Sequence, residues 1–207
     1  MPLQFRAAIF YKENLKRSEE TIMADRLTVI TTRGGDQGET SLGDGTRVPK
    51  THARVGLLGS VDSLNSWIGV VLSHLPGEAV RETLEGVQHD LFDLGGCLCF
   101  PGTALLSEAH VLRLDQASAS MNEALAPLKE FILPGGSPLL AWLHVARTQV
   151  RETERDFVAF DQEPEDHVKF ARQYLNRLSD FLFIAARAEA RRTGVQETLW
   201  EKGKSVS

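Results

Sequence analysis

Apolar residues recur at intervals of three and four positions in five separate stretches of the chain. The first three stretches run from Val55 to Val71, from Leu84 to Leu98 and from Val111 to Leu128. The fourth runs from about residue 139 to 160, and the fifth from about 166 to 192. This spacing places apolar side chains on one face of an α-helix, so each stretch is predicted to bury one face against the others.

Breaks rich in glycine and proline separate these stretches, at Pro76-Gly77, at Phe100–Gly102 and at Phe131–Pro138. We expect Thr51 to cap the first helix and Pro127 to fray the end of the third. No stretch shows convincing alternation of apolar and polar residues, so no strand is predicted. The pattern predicts an all-α protein, a five-helix up-and-down bundle with short connections that follows a Gly-rich N-terminal loop.

The size and composition of the chain fit one such bundle. It has 207 residues, is 42% hydrophobic and carries a formal net charge of −5, which argues against a general nucleic-acid-binding protein. It contains no run of 18 apolar residues and no apolar segment typical of a signal peptide. We therefore expect a cytoplasmic protein that binds neither nucleic acid nor a membrane.

We divide the chain into a mobile N-terminal arm at 1–24, one helical-bundle domain at 25–200 and a short tail at 201–207. Cys97 and Cys99 stand too close together for an ordinary disulfide. A Cys-x-Cys pair can bind a soft metal, but buried free thiols are the favoured interpretation. None of the six histidines forms a metal-type pair such as HExxH, so no protein-bound metal site is predicted.

The segment from Thr31 to Lys50 has the composition of an anion-binding loop. Five glycines leave its backbone amides accessible, and it matches neither the Walker pattern nor GxGxxG. The alternative interpretation is a flexible, solvated loop. The hydroxyl groups and cations of the segment belong to Thr31, Thr32, Thr40, Ser41 and Thr46, and to Arg33, Arg47 and Lys50.

The fourth stretch carries a polar stripe beside its apolar face, in which His144, Arg147, Arg151 and Glu154 step by three, four and three positions. Arg147 and Arg151 are like charges one turn apart, an arrangement that costs about 0.2–0.5 kcal/mol on an isolated helix. An anion is therefore expected to lie over them. Glu154, or solvent alone, is the alternative partner.

Six strings of the sequence, taken together, resemble the PduO-type corrinoid adenosyltransferases, which are ATP:cob(I)alamin adenosyltransferases. The resemblance implies a five-helix bundle that assembles as a homotrimer with its sites between subunits. It also implies that the Gly-rich loop wraps the triphosphate of ATP, and that Mg²⁺ is held mainly through ATP. The strings are TRGGDQGETSL, GTRVPK, GSVDSLNSWIG, FILPGG, LHVARTQVRETER and YLNRLSDFLF.

The resemblance also implies roles for individual residues. Arg147 would pair across subunits with Asp62, and Arg151 would contact a phosphate of ATP. Phe131 would press under the corrin ring and expel the lower ligand of cobalt, whereas without the resemblance it would be a core side chain. The residues implied in nucleotide binding are Thr32, Arg33, Gly34, Gly35, Asp36, Thr40, Ser41, Lys50, Arg151, Glu152, Thr153, Glu154, Arg155 and Asn176. The sequence departs from the family pattern at Glu152, where members often have a second arginine, and at Thr31, where a tyrosine is frequent.

The implied activity is transfer of the 5′-deoxyadenosyl group of ATP to the cobalt of cob(I)alamin, with Phe131, Arg147, Arg151 and Asp62 as the residues expected to act in catalysis. A reductase and an adenosylcobalamin-dependent enzyme are possible partners. Two other classes of protein remain open from the residues alone. One is an ATP-dependent regulatory bundle without transfer chemistry, and the other is a structural bundle that uses the loop for subunit contacts.

Overall fold

The computed structural model describes residues 31, 33–74, 76–100, 102–160 and 169–206, with Lys169 described by its backbone only. The predicted arm at 1–24 lies outside the described residues, as does Thr32. The described elements are two short strands and five helices. In chain order they are β1 (Glu39–Ser41), β2 (Arg47–Pro49), α1 (Ala53–Ser73), α2 (Glu78–Cys99), α3 (Glu108–Asn122), α4 (Pro138–Phe160) and α5 (Lys169–Thr193).

The predicted all-α bundle of five helices is confirmed. Helix α4 packs against α5 on one side and against α1 on the other, α2 packs on α1, and α3 packs on α5. One continuous apolar core fills the space between them, formed by the residues that the spacing of three and four placed inward. Leu64, Leu84, Leu114, Leu143 and Leu178, one from each helix, are all 0% exposed.

The starts of the helices differ in part from the prediction. The N-cap of α1 is His52, not Thr51, because the Nδ1 atom of His52 accepts a hydrogen bond from the backbone amide of Arg54 at 3.2 Å. Helix α4 begins at Pro138, where a proline needs no intrahelical donor, with Ser137 accepting from Leu140 N. The predicted start of the fifth helix, near residue 166, lies outside the described residues.

The third helix is shorter than predicted. It ends at Asn122, and Leu128 lies 40% exposed in the connection that follows. Proline at 127 disfavours helix at the preceding residue. Two arginines of α5 then bind the carbonyl oxygens of the connection: Arg187 binds Ala126 O at 2.8 Å and Arg191 binds Ala124 O. These bonds satisfy backbone groups without a further helical turn.

Two buried carboxylates, which the apolar pattern does not reveal, join helices through polar contacts. Asp90 of α2 accepts hydrogen bonds from the hydroxyl of Tyr174 on α5, at 2.6 Å, and from the guanidinium of Arg113 on α3. Burial, and then the charge of Asp90, raise the pKa of Tyr174 well above its usual value. Glu189 of α5 accepts a hydrogen bond at 2.9 Å from the amide of Gly77, the N-cap of α2.

Among the described residues, only α1 is long and apolar enough to span a membrane by length and composition. It carries seven buried residues and packs against α2 and α4 inside the bundle. Core helices commonly pass the same test, so this observation is weak evidence for a membrane span.

The prediction of no strand is wrong for the Gly-rich segment, in which β1 and β2 form an antiparallel hairpin. The hairpin is fastened to the C-terminal end of α2, where the amide of Gly43 donates to Cys99 O at 3.0 Å. Gly43 lies directly against the buried ring of Phe100, and a Cβ atom at Gly43 would stand 2.5 Å from two ring carbons. The absence of a side chain at position 43 therefore lets the hairpin seat on the bundle.

We expect Gly43→Ala to destabilise the hairpin, because Phe100 is enclosed and cannot move away from the added methyl group. Overpacking of this kind costs about 1–3 kcal/mol of unfolding free energy. Chemical denaturation monitored by circular dichroism measures this change. Gly56→Ala on α1 is the matched control, since a Cβ there meets nothing within 4 Å. Equal stability of the two variants would contradict the close-contact explanation.

Candidate functional site

Two consecutive turns shape the tip of the Gly-rich loop before β1. The amide of Asp36 donates to Arg33 O at 3.3 Å, and the amide of Gly38 donates to Gly35 O at 3.2 Å. Arg33 has a φ of 56°, a left-handed conformation that is uncommon for a residue with a side chain and often found at functional loops. The loop tip is therefore a defined backbone shape with exposed residues around it.

Two cations lie beside this loop. The Nζ atom of Lys50 stands 3.1 Å from the position that a Cβ of Gly35 would take, so glycine lets the ammonium group approach the loop. Arg47 of β2 reaches across the hairpin and donates to Gly34 O at 3.1 Å, to Glu39 at 3.3 Å and to the hydroxyl of Ser41 at 3.4 Å. Arg47 was not among the predicted site residues. Its positive charge in the segment was the available signal, and its contacts show that it holds the loop.

The pairing of β1 with β2 decides which hydroxyl faces outward. Thr40 lies opposite Val48 in the hairpin, and both are buried, whereas Ser41 on the neighbouring position is half-buried. The sequence prediction placed the Thr40 hydroxyl among the groups around the nucleotide. The structure turns this side chain inward because adjacent residues of a strand point to opposite sides.

Helix α4 places Arg147 and Arg151 one turn apart on the side that faces α5. Arg147 is half-buried, and its Nε atom has no hydrogen-bond partner in the part of the chain that the structure describes. Burial, and then the charge of Arg151, lower the pKa of Arg147. Arg151 is exposed, and the described residues form no ion pair with it. The two guanidinium groups thus form a basic stripe.

The alternative that Glu154 neutralises Arg151 is not what the structure shows. Glu154 instead accepts a hydrogen bond at 3.2 Å from the side-chain amide of Asn176 on α5. The other end of that amide accepts from Arg177 at 2.7 Å. Asn176 and Glu154 therefore lie together at the junction of the two helices, beside the basic stripe.

His144 continues the stripe toward the N-terminal end of α4. It is 6% exposed, its Nδ1 atom has no hydrogen-bond partner among the described residues, and its ring packs against Phe183 of α5 at 6.2 Å between centroids. Burial, and then the charge of Arg147, lower the pKa of His144, so the ring is neutral near neutral pH. His144 therefore adds no positive charge to the stripe.

The structure places Thr153 inside the bundle. Its side chain is 0% exposed, and its hydroxyl donates to Gln149 O at 3.0 Å and to Ser60 O of α1 at 3.4 Å. In one chain this buried hydroxyl therefore joins α4 to α1. Its neighbours Glu152 and Arg155 are exposed, as their positions on the outer face of α4 require.

Asp62 lies on a different side of the bundle from Arg147. It is exposed and borders a small cavity where α1 meets α2, together with Asn65 and Phe92. Ser60, two residues earlier and nearly half a turn away, faces α4 instead, and its hydroxyl donates to Asp156 at 2.6 Å. One chain therefore holds the two predicted partners on separate faces.

Phe131 is 76% exposed, so the alternative that it plugs the core is wrong for this chain. It stands seven residues before α4 begins at Pro138. The Gly-rich loop is fastened near the other end of α4, because Arg54 at the start of α1 lies over the ring of Phe160 at 4.8 Å and donates to Leu98 O. Helix α4 has 23 residues and is about 34 Å long. The structure therefore separates Phe131 from the loop within one chain.

The arrangement suits the binding of a multiply charged anion more than acid–base chemistry. The described residues contain no group of three or more His, Cys, Asp or Glu side chains that could hold a metal ion. Cys97 and Cys99 are free thiols, and burial raises the pKa of Cys99 to about 11, so it is not a reactive thiolate at neutral pH.

Comparison with known proteins gives consistent similarities. A family model described as cobalamin adenosyltransferase matches residues 30–189. A cobalamin adenosyltransferase from Cupriavidus metallidurans is 49% identical over 182 residues, which cover 87% of this chain and 98% of that protein. A corrinoid adenosyltransferase from Bacillus subtilis is 41% identical over 187 residues, which cover 84% of this chain and 93% of that protein.

Solved structures show the same similarity in three dimensions. One is a variant PduO-type ATP:corrinoid adenosyltransferase from Lactobacillus reuteri, altered at a phenylalanine and complexed with cobalamin and ATP. It aligns with a TM-score of 0.76 at 31% identity, covering 84% of this chain and 97% of that chain. A second variant from the same organism, altered at an arginine and complexed with ATP, aligns with a TM-score of 0.75 at 33% identity, covering 83% and 100%.

Proposed function

The chain belongs to the cobalamin adenosyltransferase family and is an ATP:corrinoid adenosyltransferase, and we propose how its residues serve the transfer of the 5′-deoxyadenosyl group to the cobalt of cob(I)alamin. Cobalt is the nucleophile. A bond forms between cobalt and the ribose C5′ carbon while the bond from C5′ to the triphosphate oxygen breaks. Adenosylcobalamin and triphosphate are the products. No proton moves at the reacting carbon, so the protein needs no general base, and its tasks are positioning and stabilisation of the leaving triphosphate.

The observation that carries this assignment of roles is the basic stripe of Arg147 and Arg151, for which the described residues supply no counter-charge. A triphosphate supplies the missing negative charge. Arg151 is exposed and offers a planar fork of donors suited to phosphate oxygens. The Gly-rich loop, with the exposed Arg33 and with Lys50 beside Gly35, offers the second set of donors.

The spacing of two residues in the Lactobacillus reuteri structures supports the same roles. The phenylalanine and the arginine that are altered there lie 20 positions apart in that chain. Phe131 and Arg151 are also 20 positions apart here. We therefore assign Phe131 to the corrinoid and Arg151 to ATP.

We propose that Mg²⁺ enters with ATP and is held mainly by the phosphate oxygens. Asp36 and Ser41 in the Gly-rich segment offer oxygen ligands of the kind that Mg²⁺ prefers, and the described residues contain no separate metal cluster. When bound, the ion offsets charge on the triphosphate. The loop amides and Lys50 act on the same charge.

We further propose that the complete site lies between two subunits of a homotrimer. Phe131 and the Gly-rich loop lie at opposite ends of α4, and Asp62 and Arg147 lie on separate faces. A second chain that docks its α1 face against the α4–α5 face brings these groups together. We expect the enzyme to act in the cytoplasm with a reductase that supplies cob(I)alamin and an enzyme that uses adenosylcobalamin.

We expect Arg151→Ala to lower the rate of transfer at low ATP concentration by at least tenfold, about 1.4 kcal/mol of transition-state stabilisation. The fold should persist, because Arg151 is exposed and carries no packing contact of the core. Steady-state kinetics with chemically reduced cobalamin measure the effect. Arg81→Ala on α2 is the control for loss of a surface arginine, and unchanged kinetics of Arg151→Ala would reject the phosphate contact.

The proposed pairing of Asp62 with Arg147 between subunits predicts rescue by charge exchange. We expect Asp62→Arg to lose most of its activity or its trimeric state, and the double variant with Arg147→Asp to recover part of both. A double-mutant cycle on activity, with light scattering for the mass, measures the coupling. Strictly additive losses, or a fully active monomer, would count against a shared site.

The proposed role of Phe131 predicts a loss that depends on how cobalt is supplied. With Co(II)cobalamin and a weak reductant, Phe131→Ala should stall, because cobalt keeps its lower ligand and resists reduction. With chemically prepared cob(I)alamin, most of the activity should remain. Stability should change little, because the side chain is 76% exposed.

Leu133→Ala is the matched control for Phe131, since Leu133 lies in the same loop and is 44% exposed. Electron paramagnetic resonance of Co(II)cobalamin with protein and ATP observes the ligand directly. The native protein and Leu133→Ala should show a four-coordinate species, and Phe131→Ala mainly a five-coordinate one. An equal four-coordinate signal in all three proteins would remove Phe131 from the mechanism.

A further inference from the structure

The segment that carries Phe131 is paired with the C-terminal segment of the chain through its backbone. The amide of Trp200 donates to the carbonyl oxygen of Phe131 at 2.7 Å, and the amide of Leu133 donates to Thr198 O at 2.8 Å. The residues between them form an antiparallel bridge. About 65 positions of sequence separate the two segments, so only tertiary structure creates this contact.

Arg187 of α5 connects the same two segments from the inner side. Its side chain is 9% exposed, and its Nη2 atom donates to Ala126 O at 2.8 Å, in the connection that leads to Phe131. Its Nε atom lies 3.7 Å from Glu197, the residue that precedes the paired C-terminal segment. One guanidinium therefore binds the connection before the Phe131 loop through a hydrogen bond, and it forms an ion pair with the residue before the C-terminal segment.

These backbone and guanidinium contacts matter because the ring of Phe131 has little packing of its own. A side chain that is 76% exposed takes its position from the main chain beneath it. Displacing a ligand from a metal requires the ring to be placed within a fraction of an ångström, and misplacement of about 1 Å can lower a rate about 100-fold.

We propose that the C-terminal segment at residues 198–200, through the amide of Trp200, and the guanidinium of Arg187 are positioning groups that hold Phe131 against the corrinoid. This inference rests on the proposed role of Phe131. It makes the C-terminal segment part of the corrinoid half of the site. ATP binding depends instead on the Gly-rich loop and on Arg151, and does not involve the C-terminal segment.

Trp200→Pro tests the backbone contact, since proline removes the donor amide. Trp200→Ala is the matched control, because it removes the side chain and keeps the amide. We expect Trp200→Pro to lower the four-coordinate Co(II) fraction, and transfer from Co(II)cobalamin with a weak reductant, at least threefold. Transfer from chemically prepared cob(I)alamin and the Kd for ATP should change less than twofold, and Trp200→Ala should stay within twofold in every assay.

Arg187→Lys tests the guanidinium, since a lysine keeps the charge but cannot contact Ala126 and Glu197 with one planar group. Arg191→Lys is its control. Arg191 binds the carbonyl of Ala124 on the same connection, and its side chain forms no hydrogen bond or ion pair with residues 197–200 in the described structure. We expect Arg187→Lys to reproduce the pattern of Trp200→Pro, and Arg191→Lys to behave as the native protein.

Three outcomes would overturn the inference alone. Four-coordinate signals in Trp200→Pro and Arg187→Lys equal to that of the native protein would show that these groups do not position Phe131. Equal losses in Trp200→Pro and Trp200→Ala would assign the effect to the indole side chain. Equal losses with Co(II) and Co(I) cobalamin would show a general structural role. A native protein without any four-coordinate signal would instead overturn the proposed role of Phe131, and this inference with it.

Discussion

The packing of α4 against α5 is the interaction on which the rest of the structure depends. Helix α4 packs on both α1 and α5, and these are the two most extensive helix contacts among the described residues, so its inward stripe forms the centre of the core. Leu143, Ala146, Val150 and Phe157 of this stripe are each 0% exposed. Because 3.6 residues complete a turn, burial of these positions also determines where the polar stripe of α4 must lie.

That geometry places the two arginines of α4 beside α5, at a half-buried position for Arg147 and an exposed one for Arg151. Two like charges one turn apart repel each other, and a buried Nε atom without a hydrogen-bond partner, as in Arg147, is costly. The bundle holds this unfavourable arrangement because its apolar core is extensive. In the proposed function, an anionic substrate relieves the repulsion between the two arginines and supplies the missing hydrogen-bond acceptor.

The elements outside the five helices depend on contacts between distant parts of the chain. The Gly-rich hairpin is seated by Gly43 on Phe100, and the Phe131 loop is paired with residues 198–200. Both contacts lie at the ends of the bundle, where the helices no longer bury the chain. The two halves of the proposed site are thus attached to opposite ends of one rigid core, and a second subunit is the proposed means of joining them.

The sequence by itself determined the helices and most of the chemistry. Apolar spacing predicted all five helices and placed both ends of α1 and α4 within a few residues of those observed, because burying one face of a helix requires that period. The like-charged pair at Arg147 and Arg151 was also visible in the sequence and favoured an anion over the two side chains. The resemblance of six short strings then indicated the activity of the family, including Phe131, which no periodic pattern marks.

Only the tertiary structure decided the features that depend on partners far apart in the chain. It ended α3 at Asn122, because arginines of α5 take the carbonyl oxygens beyond it, and it turned Thr40 and Thr153 inward through strand pairing and contact with α1. It also paired Trp200 with Phe131. Local sequence encodes which groups can bond, whereas the choice among distant partners is made by the packing that brings them together.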